Sequence, residues 1–126
     1  MTDINFLAPI NDRSYGLVAT NLVYNLEKLR ANTSLFLINP QGAGCEPKYV
    51  DAVKKAVGRA SFFNPDAPCV RLWHQFDMSQ FVGRGPRIGF PIFELNKFKD
   101  VEKQQLKWLD KVLVCSKWAA DIVESE

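Results

Sequence analysis

The chain has 126 residues, 47% of them hydrophobic, which is enough for one domain with a proper core and too few for two nucleotide-binding lobes. Sixteen Lys and Arg against fourteen Asp and Glu leave a net charge of +2; with no long run of like charge, the cationic footprint of a nonspecific nucleic-acid binder is excluded. The longest unbroken apolar stretches, such as Leu35 to Ile38, fall far below a membrane span, and three dispersed cysteines without a leader at Met1 to Asn5 suit a reducing, cytoplasmic setting.

Ile4 to Ile10 reads as a first strand. Its run Phe6-Leu7-Ala8 meets Pro9, and Asn11 to Gly16 follows as a polar, glycine-containing loop. Leu17, Val18, Leu22, Leu26 and Leu29, widened by Val23 and Tyr24, recur at helical spacing and predict a first helix. Ser34 to Ile38 is a second strand, closed by Asn39, Pro40 and Gly42. Its continuous apolar character suits burial on both faces of a parallel sheet. A short helix is expected over Tyr49 to Ala60, with Val50, Val53 and Val57 on one side.

After Pro65 and Pro68 break the chain, Cys69 to Trp73 forms a third strand that ends at His74. Gln75 to Pro86 reads as the least constrained loop. Arg87 to Phe93 carries a fourth strand whose ladder bonding Pro91 limits. Lys99 to Leu109 is helical, Lys111 to Cys115 is a fifth strand, and Lys117 to Ser125 is a last helix with Ser116 as its N-cap. This alternation predicts one α/β domain over residues 1–126. It is a Rossmann-like, mostly parallel five-stranded sheet with helices on both faces.

Familiar motifs are missing. The dinucleotide fingerprint places three glycines directly after the first strand, and only Gly16 is there. Gln41 to Cys45 is glycine-rich but follows the second strand. No phosphate loop with Gly-Lys-Ser or Gly-Lys-Thr occurs. One histidine and three scattered cysteines do not make a metal site, so neither a metal nor a bound cofactor is expected. Cys69 and His74 are separated by about 16 Å of extended chain, too far for proton transfer within that strand. Cys69 and Cys115 read as small buried strand residues. Trp73 and Trp118 read as core anchors.

What the topology offers instead is position. Ligands of open parallel sheets bind beyond the carboxyl ends of the strands. Asn11, Gly16, His74, Glu94 and Ser116 all fall at or just past such ends. One polar crevice assembled from distant residues is the expectation, with His74 and Glu94 as its chemical groups.

Two segments carry a family pattern. They are Gly89-Phe90-Pro91-Ile92-Phe93-Glu94, and Trp108-Leu109-Asp110-Lys111-Val112-Leu113-Val114-Cys115-Ser116-Lys117-Trp118. Together they resemble the N-terminal domain of retaining glycosyltransferases of the two-lobed GT-B fold, the glycogen-synthase-like group. There a strand ends in Phe-Glu, a helix follows, and an Asp precedes a valine-rich strand closed by Pro-Ser. A Trp starts the next helix. Cys115 stands where proline is commoner. The first strand, glycine-containing loop and first helix are compatible with the same family.

The resemblance implies an acceptor-side lobe. Asn11, Gly16 and Ser116 would then lie towards a nucleotide-sugar donor, with the backbone at Gly16 close to its phosphate or sugar. His74 would hydrogen-bond the transferred sugar or its acceptor, and Glu94 would order the acceptor cleft. The implied partners are a sugar or glycan acceptor, and a nucleotide-sugar donor once a C-terminal lobe is present. The chain stops at Glu126 without a second lobe, so a lobe incomplete for hexosyl transfer alone is expected. The chain is then a fragment or truncated product, or works with a separate polypeptide, and the open face where the missing lobe would sit favours self-association. The alternative is a noncatalytic α/β binding or interaction module with an exposed apolar patch at Phe76, Met78, Phe81 and Val82.

Overall fold

The computed structural model describes residues 2–10, 14–38, 44–74, 77–92, 97–114 and 116–125. Five strands, β1 (Asp3–Ala8), β2 (Asn32–Leu37), β3 (Cys69–His74), β4 (Arg87–Ile92) and β5 (Lys111–Val112), form one sheet. All neighbours are parallel, in the order β2-β1-β3-β4-β5. Among the described residues four α-helices follow β1, β2, β4 and β5, while β3 leads to β4 without one: α1 (Ser14–Lys28), α2 (Val50–Arg59), α3 (Asp100–Lys107) and α4 (Lys117–Ser125). Short 3-10 turns at Pro47–Tyr49 and Ala60–Phe62 flank α2.

Strand alternation divides the core. The register pairs Phe6 with Leu35 and Phe6 with Val70. On that face Phe6, Ala8, Leu35 and Leu72 pack with Ala19 and Val23 of α1 and Ala52 and Ala56 of α2. The alanines let both helices approach closely. On the other face Trp73 packs with Met78, Phe98, Leu106, Leu109, Ile122 and Val123, which brings in α3 and α4. Gly89 belongs to this face. A side chain there would run into Leu109 and Met78. The expected parallel sheet with helices on both faces is therefore the observed one.

The boundaries depart in informative places. Ser14, Tyr15 and Gly16, expected in a loop, form the first turn of α1, and Thr20 Oγ1 donates to the Gly16 carbonyl at 2.6 Å. The fifth strand has two residues rather than five. Asp110 and Leu113 donate their N–H groups to the carbonyls of Arg87 and Gly89, at 2.8 and 2.7 Å. The next rung on that side would need an N–H from Pro91, which has none. Pro91 is thus accommodated inside β4 because its missing donor faces β5, and it is also why the β5 ladder stops.

Two further expectations change. Trp118 is 48% exposed and is no core anchor, and Trp108 is 71% exposed beneath the Arg87 guanidinium. The described part of the Gln75–Pro86 segment is pinned rather than loose. Met78 is buried, and its N–H donates to Gln105 Oε1 at 3.0 Å. Arg71, buried on β3, donates from Nε to the Asp77 carbonyl and from Nη2 to Asp77 Oδ2, both at 2.9 Å. Gly83, at φ 75°, is left-handed and sits against the Pro65 backbone, where no side chain fits.

Candidate functional site at the strand switch point

From β1 the chain crosses to β2 on one side, and β3 lies on the other. The carboxyl ends of β1 and β3 therefore diverge, which is the switch point where parallel α/β sheets hold ligands. Two elements meet there. His74 is the last residue of β3, and Tyr15 stands in the first turn of α1, just after β1. The Tyr15 hydroxyl and His74 Nδ1 are 3.0 Å apart. The two rings meet edge to face, with centroids 4.6 Å apart at 88°. Trp73 closes the cluster, 5.0 Å from the His74 ring and 6.2 Å from that of Tyr15.

This environment determines the state of His74. The ring is half-buried, and desolvation holds its pKa below the ordinary histidine value, so the neutral form is favoured at neutral pH. A phenol is a stronger donor than a neutral imidazole, and an imidazole nitrogen is the stronger acceptor. Tyr15 therefore donates to Nδ1, and the ring proton resides on Nε2. In this tautomer Nε2 is a donor and not an acceptor, and the ring does not take up a proton there.

Gly16 is buried beside this pair, within the first turn of α1. The N–H groups of a helix's first turn lack intrahelical partners and carry the positive end of its dipole, a setting that favours phosphate oxygens. Ser116 sits elsewhere. It follows β5, two strands from β3 and about 10 Å across the sheet. Its Oγ accepts the Ala119 N–H at 3.2 Å, the N-cap bond its sequence position predicts. Asn11 and Glu94 lie outside the described residues, as do Cys115 and Phe76. Cys69, buried at the opposite end of β3 from His74, has its thiol pushed up by burial and forms no dyad with it.

Tyr15 is the residue that sequence reasoning passed over. It is adjacent to Gly16, but its contact with His74 spans 59 positions and no local pattern announces it. Among the described residues no three His, Cys, Asp or Glu side chains gather as a metal site, and no helix is long and apolar enough to cross a membrane. Comparison with protein-family models, curated proteins and solved structures found no match for this chain.

Proposed function

We propose that the chain is the acceptor-side lobe of a glycosyltransferase using a nucleotide-sugar donor, incomplete for catalysis alone. The observation that supports this reading best is the Tyr15–His74 pair beside the first turn of α1, at the β1/β3 switch point. A sugar hydroxyl or ring oxygen accepts from a neutral histidine. A diphosphate leaving group suits a helix N-terminus. Both groups stand at the carboxyl ends of β1 and β3, where a second lobe would supply the remaining donor contacts. The family-like segment from Trp108 to Trp118 adds support, although Asp110 within it also serves the fold. Its Oδ2 accepts the Arg87 N–H at 2.7 Å and so fastens the start of β4.

The test is an amide and imidazole NMR titration of the chain with free hexoses and with uridine and guanosine diphosphate sugars. Weak shifts centred on Tyr15, Gly16 and His74, lost in His74→Ala, are expected. Binding of a nucleotide sugar near 1 μM, about −8 kcal/mol, would contradict the claim that most of the donor site lies on another lobe. Shifts that avoid the switch point altogether would overturn the reading.

A second reading, an interaction module, has one observation in its favour. Val101 on α3 and Trp108 just after it are exposed at an apolar groove of about 440 Å³ that Met78 and Gln104 also line. Of the patch expected from sequence, Met78 is buried at this groove, Phe81 and Val82 are half-buried, and Phe76 lies outside the described residues. Sedimentation of the wild type against Trp108→Ser decides it. A concentration-dependent dimer abolished by the substitution supports the module.

A further inference from the structure

At the amino end of the sheet, opposite the switch point, an open cleft of about 440 Å³ lies between the starts of β1 and β2 and the end of α2. Asp3, Asn32 and Asn64 form one wall, and Lys55, Gly58 and Phe62 belong to the other. Three features of that second group have no use within the fold. Among the described residues Lys55 makes no ion pair or hydrogen bond. Phe62 is 90% exposed and stacks on no other described ring. Gly58 sits in the last turn of α2 with no left-handed φ to require glycine, and a Cβ built on it meets nothing within 4 Å. Glycine in a helix is disfavoured relative to alanine, so neither backbone geometry nor packing accounts for it. Its effect is to keep the cleft open.

The polar wall is organised in advance. Asn64 Nδ2 donates to Asp3 Oδ2 at 3.0 Å, and Asn32 Nδ2 donates to Asp3 Oδ1 at 3.1 Å. These amides hold the carboxylate in place and keep its pKa below the usual value. The same wall has a second anchor, since Asn5 Nδ2 donates to the Asn64 carbonyl at 2.9 Å. Arg59, at the rim, is already engaged by Glu27 and by the Thr33 carbonyl. A fixed carboxylate and an ammonium with no ionic or hydrogen-bond partner among the described residues thus line the same cleft. A simple anion is repelled by Asp3, and a simple cation by Lys55. The matching ligand is neutral and carries several groups that both donate and accept. It also needs an apolar face to lie on Phe62.

We infer that this cleft is a binding site for a saccharide unit, with Phe62 as its stacking platform, Asp3 and Lys55 as its acceptor and donor, and Gly58 as the opening that admits it. Hydroxyl groups satisfy both walls at once, and the C–H face of a pyranose covers the aromatic ring. The site stands independently of the proposed function, because it lies at the other end of the strands from His74.

The experiment is a saturation-transfer and amide-shift NMR titration of the full chain with glucose, galactose, N-acetylglucosamine and maltose, each to about 50 mM, where weak complexes register. At least one sugar is expected to give saturable shifts confined to the Gly58–Asn64 stretch and the start of β1. Phe62→Ala should weaken that binding about fivefold, and Gly58→Leu should abolish it by filling the cleft. Both positions face open space, so both variants fold, which thermal melts verify. Absence of saturable shifts with all four sugars overturns the inference, as do shifts that survive both substitutions. Binding of glycine or betaine in place of every sugar overturns the ligand class. None of these failures touches the switch-point reading, whose own titration is read at Tyr15 and His74.

Discussion

The Arg71–Asp77 pair holds the segment after β3 against the sheet, and removing its two partners should have unequal effects. The Arg71 side chain is 4% exposed and that of Asp77 is 36% exposed. Asp77→Ala deletes the carboxylate and strands a guanidinium that water cannot reach. The Nε bond to the residue-77 carbonyl survives, so the cost falls at the lower end for a broken buried pair, about 3 kcal/mol. Arg71→Met keeps most of the apolar stem and removes the buried charge. It leaves behind only an aspartate that solvent can hydrate, at a cost of about 1 kcal/mol. In the double variant the charge to be stranded is already gone, so its stability should match that of Arg71→Met alone. Urea unfolding of the four proteins gives the full cycle. If Arg71→Met costs as much as Asp77→Ala, the asymmetry drawn from burial is wrong.

Three further outcomes are expected. His74 is the sole histidine, so its ring protons report directly. They should titrate below about 6.5. Because the folded pKa is the depressed one, the stability it contributes is full above the unfolded value and is lost as pH falls through the folded value; a midpoint at or above 6.5 contradicts this. Tyr15→Phe keeps the edge-to-face packing and loses the hydroxyl. It should cost about 1 kcal/mol and shift the imidazole nitrogen signals away from the Nε2-protonated pattern, and unchanged signals would remove Tyr15 from its positioning role. Thr33 Oγ1 is buried without a hydrogen-bond partner among the described residues, so Thr33→Val should raise stability by about 1 kcal/mol in thermal unfolding, and a loss would mean that the hydroxyl is satisfied in solution.

The strand order of the fold was not written in the sequence, but its class was. Apolar runs such as Phe6 to Ala8 and Ser34 to Ile38 are local signals, and local signals survive without tertiary information. The last helix was legible to the residue, since Ser116 is a cap that acts within one turn. What failed depended on distant partners. The start of α1 ran three residues earlier than its first leucine. Trp118 looked like core by type alone, although α4 turns Ala119, Ile122 and Val123 inward instead. The segment around Asp77 looked loose because the group that fixes it, Arg71, reads as a charge interrupting a strand. At the candidate site His74 was found through its place at a strand end. Its tautomer was not, because that is set by a hydroxyl 59 residues away.

The outer margins of the sheet are finished in unlike ways. Beyond β2, the Thr33 carbonyl accepts Arg59 Nη1 at 3.3 Å, and Ser34 Oγ donates to the Arg59 carbonyl at 3.4 Å, so the end of α2 is fastened along that side. Beyond β5 there is no such cover from α2, and the strand offers only two residues of ladder before Pro91 ends it. Strand exchange between copies, the usual hazard of an open margin, therefore meets the end of α2 at the start of β2 on one side. On the other side it is starved of hydrogen bonds by a single imino acid in the neighbouring strand. Replacing Pro91 would restore a donor to the ladder, and with it a template long enough for a foreign strand to grip.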